Sequence, residues 1–258
     1  AIVRVYDGTT LVGSTTAATD GSWSITTSAL SNATHTLNVT VTDAAGNVSA
    51  ESSVSLTVDN TTPAEVLTFA IYNNANTTPV LVANDGFSND NTPVLRGTGV
   101  AGTTINIIID GVQVATTTVA SNGVWRYETA VEADGTHTYS VSVTNAAGTT
   151  GQATTPVEIT IDTSAPATVN TSTLVVTDNE GGSTGDLTSG QTTDDNTPTF
   201  TGSAEASSTV SIYDGTTLLG TVTAAGGNWT FTPPQGLSNG NHSFTFTVTD
   251  QAGNVSAA

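Results

Sequence analysis

The chain contains no cysteine, no methionine and no lysine, and its only basic side chains are Arg4, Arg96 and Arg126. Without cysteine there can be no disulfide, so each folded unit must hold by apolar burial and hydrogen bonding, or by metal. Against the three arginines stand 22 Asp and Glu, which give the 258 residues a net charge of −19. That balance excludes binding to nucleic acid phosphates and to anionic membrane surfaces, because both require a surplus of Lys and Arg. No apolar run is long enough to span a bilayer, so membrane insertion is not expected, and the first residues show no basic-then-apolar leader pattern.

Catalytic groupings are missing too. There is no Cys nucleophile and no G-x-S-x-G elbow. The glycine-rich "GGSTG" (181–185) lacks the Lys and helix of a phosphate loop. Paired acids such as Asp194–Asp195 would serve glycoside hydrolysis only in a cleft with aromatic platforms, and aromatics are 5% of the chain. His35, His137 and His242 recur once per repeat at the start of the same strand, which marks them as structural. An enzyme is not expected.

What the chain does contain is repetition. "VTDAAGN" (41–47) returns as "VTNAAGT" (143–149) and "VTDQAGN" (248–254). Trp23, Trp125 and Trp229 keep the same spacing of about a hundred residues, as do the Asp-Gly pairs at 7–8, 110–111 and 214–215. Apolar residues alternate with Thr, Ser or Asn, as in Leu37, Val39, Val41 and in Phe244, Phe246, Val248. That period of two, rich in β-branched residues, predicts half-buried strands, and Asp-Gly between two of them predicts a hairpin.

The middle unit reads as seven strands at 66–72, 92–98, 103–110, 112–119, 124–129, 137–144 and 155–161. Seven antiparallel strands in about a hundred residues describe an immunoglobulin-like β-sandwich, all-β and without a disulfide, with Trp plugging the core. Three units follow: 1–62, beginning at the third strand; 63–165, complete; and 166–258, ending before the last strand. Short linkers, "VDNTTPA" (58–64) and "IDTSAPA" (161–167), predict sandwiches stacked end to end as a rod.

Acidic residues are expected to gather where units meet. The loop between the sixth and seventh strands should face the incoming linker, bringing Asp250, with Glu205, towards Asp85, Asp90 and Asp162 at the junction of units two and three. Carboxylates meeting without a cationic side chain repel unless a cation lies among them, and an oxygen-only set matches Ca²⁺ better than zinc or Mg²⁺. Each motif alone is equally an ordinary turn former; what favours metal is the linker Asp recurring with the loop Asp. At the first junction Asp59 is the main acid and Asn145 replaces the Asp of the other copies, so weaker binding is expected there. Asp43 and the Asp194–Asp195 pair face away from both junctions.

"DNTP" (90–93 and 195–198), "YDGTTLLG", "GNW" (227–229), "HSFTFTVTDQAGNVSA" and the "VDxTxP" linker share one register over the whole chain. Together they resemble the bacterial immunoglobulin-like repeats of very large adhesins exported by type I secretion. The resemblance implies a secreted, cell-surface stalk of many such domains. It also implies calcium at the junctions, on the acids mapped to Asp43, Asp59, Asp90, Asp162, Asp194, Asp195 and Asp250. The implied partners are neighbouring repeats of a monomeric chain and, at the distal end, a host-cell receptor, with a glycan among the candidates. Ligand binding by one of these units is the alternative.

Overall fold

The computed structural model describes residues 1–63, 68–75 and 77–258. Its first strand of unit two begins at Thr68; the part of the predicted first strand at 66–67 lies outside the described residues. In unit one, β1 (Ile2–Asp7), β2 (Thr10–Thr16), β3 (Ala33–Thr42) and β4 (Ser52–Val58) form one antiparallel sheet in the order β2-β1-β3-β4. Among the described residues no second sheet covers it, and its small core rests on Val5, Val12 and Leu37.

Unit two is a complete sandwich. Its strands are β5 (Thr68–Asn73), β6 (Val80–Val82), β7 (Gly86–Ser88), β8 (Val94–Thr98), β9 (Thr104–Ile109), β10 (Val112–Thr118), β11 (Val124–Glu128), β12 (Gly135–Thr144) and β13 (Val157–Ile161). One sheet runs β11-β8-β5-β6 and the other β10-β9-β12-β13-β7. Their inner faces bury Ile71, Leu95 and Trp125 against Ile105, Ile107, Tyr139, Val141, Ile159 and Ile161. Phe69 stacks on Trp125 with ring centroids 6.3 Å apart. The alternation of apolar and polar side chains therefore marks the inner faces, as a half-buried pleat requires.

Two strands depart from the expected seven. The connection after β5, where no strand is expected between 72 and 92, holds β6 on one sheet and β7 on the other, so the chain crosses between sheets there. β7 lies parallel to β13, pairing Ile159 to Gly86 and Ile161 to Ser88. Three-residue strands are too short to show a period in sequence.

Unit three repeats the pattern with β14 (Val175–Asp178), β15 (Gly185–Leu187), β16 (Thr199–Ser203), β17 (Thr209–Asp214), β18 (Thr217–Thr223), β19 (Asn228–Phe231) and β20 (Phe244–Thr249). Its sheets run β15-β14-β16-β19 and β18-β17-β20, around Phe200, Val210, Ile212, Trp229 and Val248.

Each Asp-Gly forms the expected hairpin, joining β1 to β2, β9 to β10 and β17 to β18. At the middle one both Asp110 (φ 51°) and Gly111 (φ 77°) are left-handed, as a two-residue turn with matching twist requires. The tryptophans divide. Trp125 and Trp229, 4% and 3% exposed, plug their cores as expected of a sandwich, whereas Trp23, in the unit that begins at its third strand, is 47% exposed. Trp125 and Trp229 sit on β11 and β19, paired to β8 and β16. Residues 1–60 hold no counterpart of β8, so the segment around Trp23 forms no strand; Ile25 and Leu30 still pack on the small core, but the indole has no partner strand to cover it.

Candidate functional site at the seams between units

The thrice-written phrase is a five-residue loop closed by its own first side chain. Asp43 Oδ1 accepts from the N–H groups of Ala45 and Asn47 at 2.8 and 2.9 Å. Asn145 Oδ1 accepts from Ala147 and Thr149 at 3.1 and 2.9 Å, and Asp250 Oδ1 from Gly253 and Asn254 at 2.7 and 2.8 Å. The glycine bends the chain back at φ 91°, 88° and 96° in the three copies, where L side chains are strained. An acceptor at the first position and glycine near the end are therefore demands of loop closure. In unit one, the Asn47 amide bonded to Asp43 Oδ2 comes first and its N–H second among the causes that hold the Asp43 carboxyl below its ordinary range.

Two of these loops touch the linker that enters their unit. Asn145 Nδ2 donates to Asp59 Oδ2 and to the Thr61 carbonyl, each at 3.2 Å. Asn254 Nδ2 donates at 2.8 Å to the Asp162 carbonyl and at 2.8 Å to Asp250 Oδ2. The loop thus stands at the seam, as its place in the strand order requires. Asp59 is held low by the Thr61 hydroxyl and then the Thr61 N–H, both donating to Oδ1. Asp162 Oδ1 accepts from the Ser164 N–H at 3.0 Å, and the Asp162 N–H donates to the Ser88 carbonyl at 2.9 Å. Ser88 Oγ in turn takes the Asp90 N–H at 3.1 Å, so β7 ties the second linker to Asp90.

The remaining acids are distributed otherwise. Asp90 and Asp195, 7% and 4% exposed, are buried caps. Asp90 takes the N–H groups of Asn74 and Thr92 at 2.7 and 2.9 Å; Asp195 takes those of Asn179 and Thr197 at 3.1 and 2.7 Å. Asp85 is an exposed turn residue at φ 62° whose Oδ2 accepts from Asn84. Glu205 contributes its carbonyl to Ser208, and Asp194 lies against the backbone of Gly181. The structure brings the Asp59 carboxylate to loop position 145, and joins the Asp162 carbonyl to Asp250 through the Asn254 amide. It leaves Asp85, Asp194 and Glu205 engaged locally. Among the described residues, no three His, Asp or Glu side chains stand close enough to hold a metal ion by themselves. The donors at the second seam are all oxygen, from Asp162 and Asp250, which suits a hard cation in chemistry though not in number of carboxylates.

Two groupings have no counterpart in the sequence reading. Each Asp-Gly aspartate binds the repeat's histidine, at 2.6 Å for Asp7–His35, 2.8 Å for Asp110–His137 and 2.6 Å for Asp214–His242. The common spacing of Asp-Gly and His in all three repeats was the available signal. Arg96 and Arg126 stand directly opposite each other on β8 and β11, a pairing visible only once those strands are in register.

Among solved structures, the chain is similar to a biofilm-associated protein BSP domain at 18% identity, covering 87% of this chain and 40% of that one, with a TM-score of 0.24. It is also similar to dimeric latent PorU from Porphyromonas gingivalis at 14% identity, covering 99% of this chain and 29% of that one, with a TM-score of 0.28. The chain thus spans less than half the length of either, and likenesses this low carry no argument. No curated protein matches. Among the described residues, no helix is long and apolar enough to cross a membrane. The family model of the bacterial Ig-like domain matches residues 1–60, 66–163 and 169–258, so the chain belongs to the bacterial Ig-like domain family in three tandem copies.

Proposed function

We propose that these units are part of the stalk of a bacterial surface adhesin, exported to the cell exterior, and that Ca²⁺ at the seams stiffens the array. The tandem family match supports the repeat array. The observation that carries the stiffening is the approach of the Asp250 loop to the Asp162 linker through Asn254. It sets two carboxylates near one seam in a chain of charge −19, with no lysine to offset them. A divalent ion there would be held by Asp162, Asp250 and neighbouring carbonyl oxygens, with water completing the shell. At the first seam Asn145 stands where the other copies have an Asp, so that seam offers the one carboxylate of Asp59 where the second offers those of Asp162 and Asp250. The second seam is therefore the stronger site, and binding to host cells falls to a distal end.

Isothermal titration of Ca²⁺ into chelated protein tests this. Extracellular modules bind with dissociation constants of about 0.1–1 mM. Asp162→Ala is expected to lose at least about tenfold in affinity at the tightest site, and Asp59→Ala to leave that site unchanged. Equal losses would reject the ranking of the seams, and no heat in any variant would reject the ion. A second reading, that one unit itself holds a ligand, is favoured by the arginine pair of unit two.

A further inference from the structure

Two of the chain's three cationic side chains sit side by side on the outer face of the β11-β8-β5-β6 sheet. Arg126 is the cross-strand partner of Arg96, and Ala70 continues the row. Like charges directly opposite on neighbouring strands are unfavourable. The chain has 22 acids with which to relieve this, yet only Arg126 has a partner, Glu128 at 2.7 Å. Among the described residues no carboxylate pairs with Arg96, and its Nε is buried without an acceptor. Its guanidinium rests over the Tyr72 ring, 4.9 Å from the centroid. In the neighbouring row on the same face the hydroxyls of Thr68 and Thr98 meet at 2.9 Å.

A shallow depression of about 510 Å³ beside β11 is lined by Arg96, Gly97, Thr117, Val124, Trp125 and Arg126. Trp125, nearly fully buried, has an indole N–H with no acceptor among the described residues. Unit three has the corresponding depression at Thr201, Gly202, Trp229 and Thr230. There the cross-strand pair is Thr201 opposite Thr230, and the strand position of Tyr72 is taken by Thr177. The fold makes the depression in both units, and only unit two lines it with two arginines, one of which rests on Tyr72.

We propose that this face of unit two binds a carboxylate-bearing saccharide, with the carboxylate received by Arg96 and Arg126. Guanidinium forks match carboxylates in a bidentate way, and one anion between two arginines relieves their repulsion. Tyr72, whose face carries Arg96, offers a ring edge for the sugar, and the threonine hydroxyls suit its polar rim. The net charge of −19 selects the ligand class. A polyanion meets repulsion from the whole molecule, whereas a single carboxylate on a neutral body feels mainly the two local cations. This assignment does not depend on calcium at the seams.

The test is a titration of the full chain with sodium glucuronate, followed by the three Trp indole and three Arg Nε–H NMR resonances, with glucose and sodium sulfate as the comparison probes. Saturable shifts at Trp125 and Arg96, with a dissociation constant of roughly 1–10 mM, are expected for glucuronate and not for glucose. Trp229 should stay still. Arg126→Gln and Arg96→Gln should each weaken the Trp125 response by about tenfold or more, while Arg4→Gln leaves it intact. Arg126 is half-exposed, so its replacement leaves the core untouched. No saturable shift, an equal shift with glucose, or a response that survives Arg126→Gln would overturn the site. An equal response to sulfate would overturn the saccharide assignment, as would a change in sedimentation showing that the arginines bind acidic residues of a second copy.

Discussion

In each histidine clamp both ring nitrogens face acceptors. His137 Nδ1 lies 2.8 Å from Asp110 and Nε2 3.0 Å from the Ala133 carbonyl; His35 has Asp7 and the Ser31 carbonyl, and His242 has Asp214 and the Ser238 carbonyl. A carbonyl and a carboxylate can only accept, so each nitrogen carries a proton and the ring is an imidazolium. For His137, burial pulls the pKa down, but the bonds to Asp110 and the Ala133 carbonyl outweigh it and leave the value raised. His35 is raised chiefly by the Ser31 carbonyl and then Asp7; His242 by Asp214 and then the Ser238 carbonyl. A group whose folded pKa is raised stabilises fully below its unfolded value, about 6.5, and loses that contribution as pH rises through the folded value. Glu132 acts in the same direction, since burial raises its pKa and its ionised form is disfavoured by folding. Asp43 and Asp59, held low, lose their contribution only as pH falls through their depressed values. Thermal stability is thus expected to peak between about pH 4 and 6.5 and to decline as pH rises further, through the raised histidine values. Replacing His137 by Gln should cost unit two about 1–2 kcal/mol at pH 6 and flatten the decline, as followed by Trp125 fluorescence on heating. A pH-independent midpoint would reject the clamp. The recurrence of the histidines was plain in the sequence, but their partners lie 28 residues away in His35 and His242 and 27 in His137, across a strand pair that must form first.

Among the elements, the paired strands around each buried Trp carry the fold. A Cβ on Gly97 would stand 2.6 Å from the Trp125 indole, and one on Gly202 would stand 2.7 Å from that of Trp229. The glycine on the partner strand is what lets the ring lie flat against the backbone. Truncating Trp125 to Ala should therefore cost about 3–5 kcal/mol, and Trp23→Ala close to nothing, in urea unfolding of the two variants. Equal losses would contradict the division between covered and uncovered sheets. The strands, hairpins and repeat were legible because period-two alternation and Asp-Gly turns are local signals. The crossing of β6 and β7 between sheets was not, because "VLV" and "GFS" acquire their pairing only from β5 and β13. The exposure of Trp23 accords with a first unit that begins at the third strand, since that unit lacks the strand on which Trp125 packs.

For the molecule as a whole, the proposed stalk depends on how firmly successive units are joined. The loop phrase, read from its recurrence, does stand at the seam. Asp90 and Asp195, read as ion ligands, are buried caps for backbone N–H groups, a role that the same Asp-Asn-Thr-Pro letters serve equally well. With a dissociation constant of about 0.1 mM, calcium at about 1 mM would add about 1.4 kcal/mol, enough to bias a seam towards straight but not to fold a unit. Small-angle scattering of the 258-residue chain in millimolar calcium and in chelator measures this directly. A longer maximum dimension with the ion, lost in Asp162→Ala, is the outcome that a calcium-stiffened stalk requires. Identical profiles in calcium and chelator would contradict it.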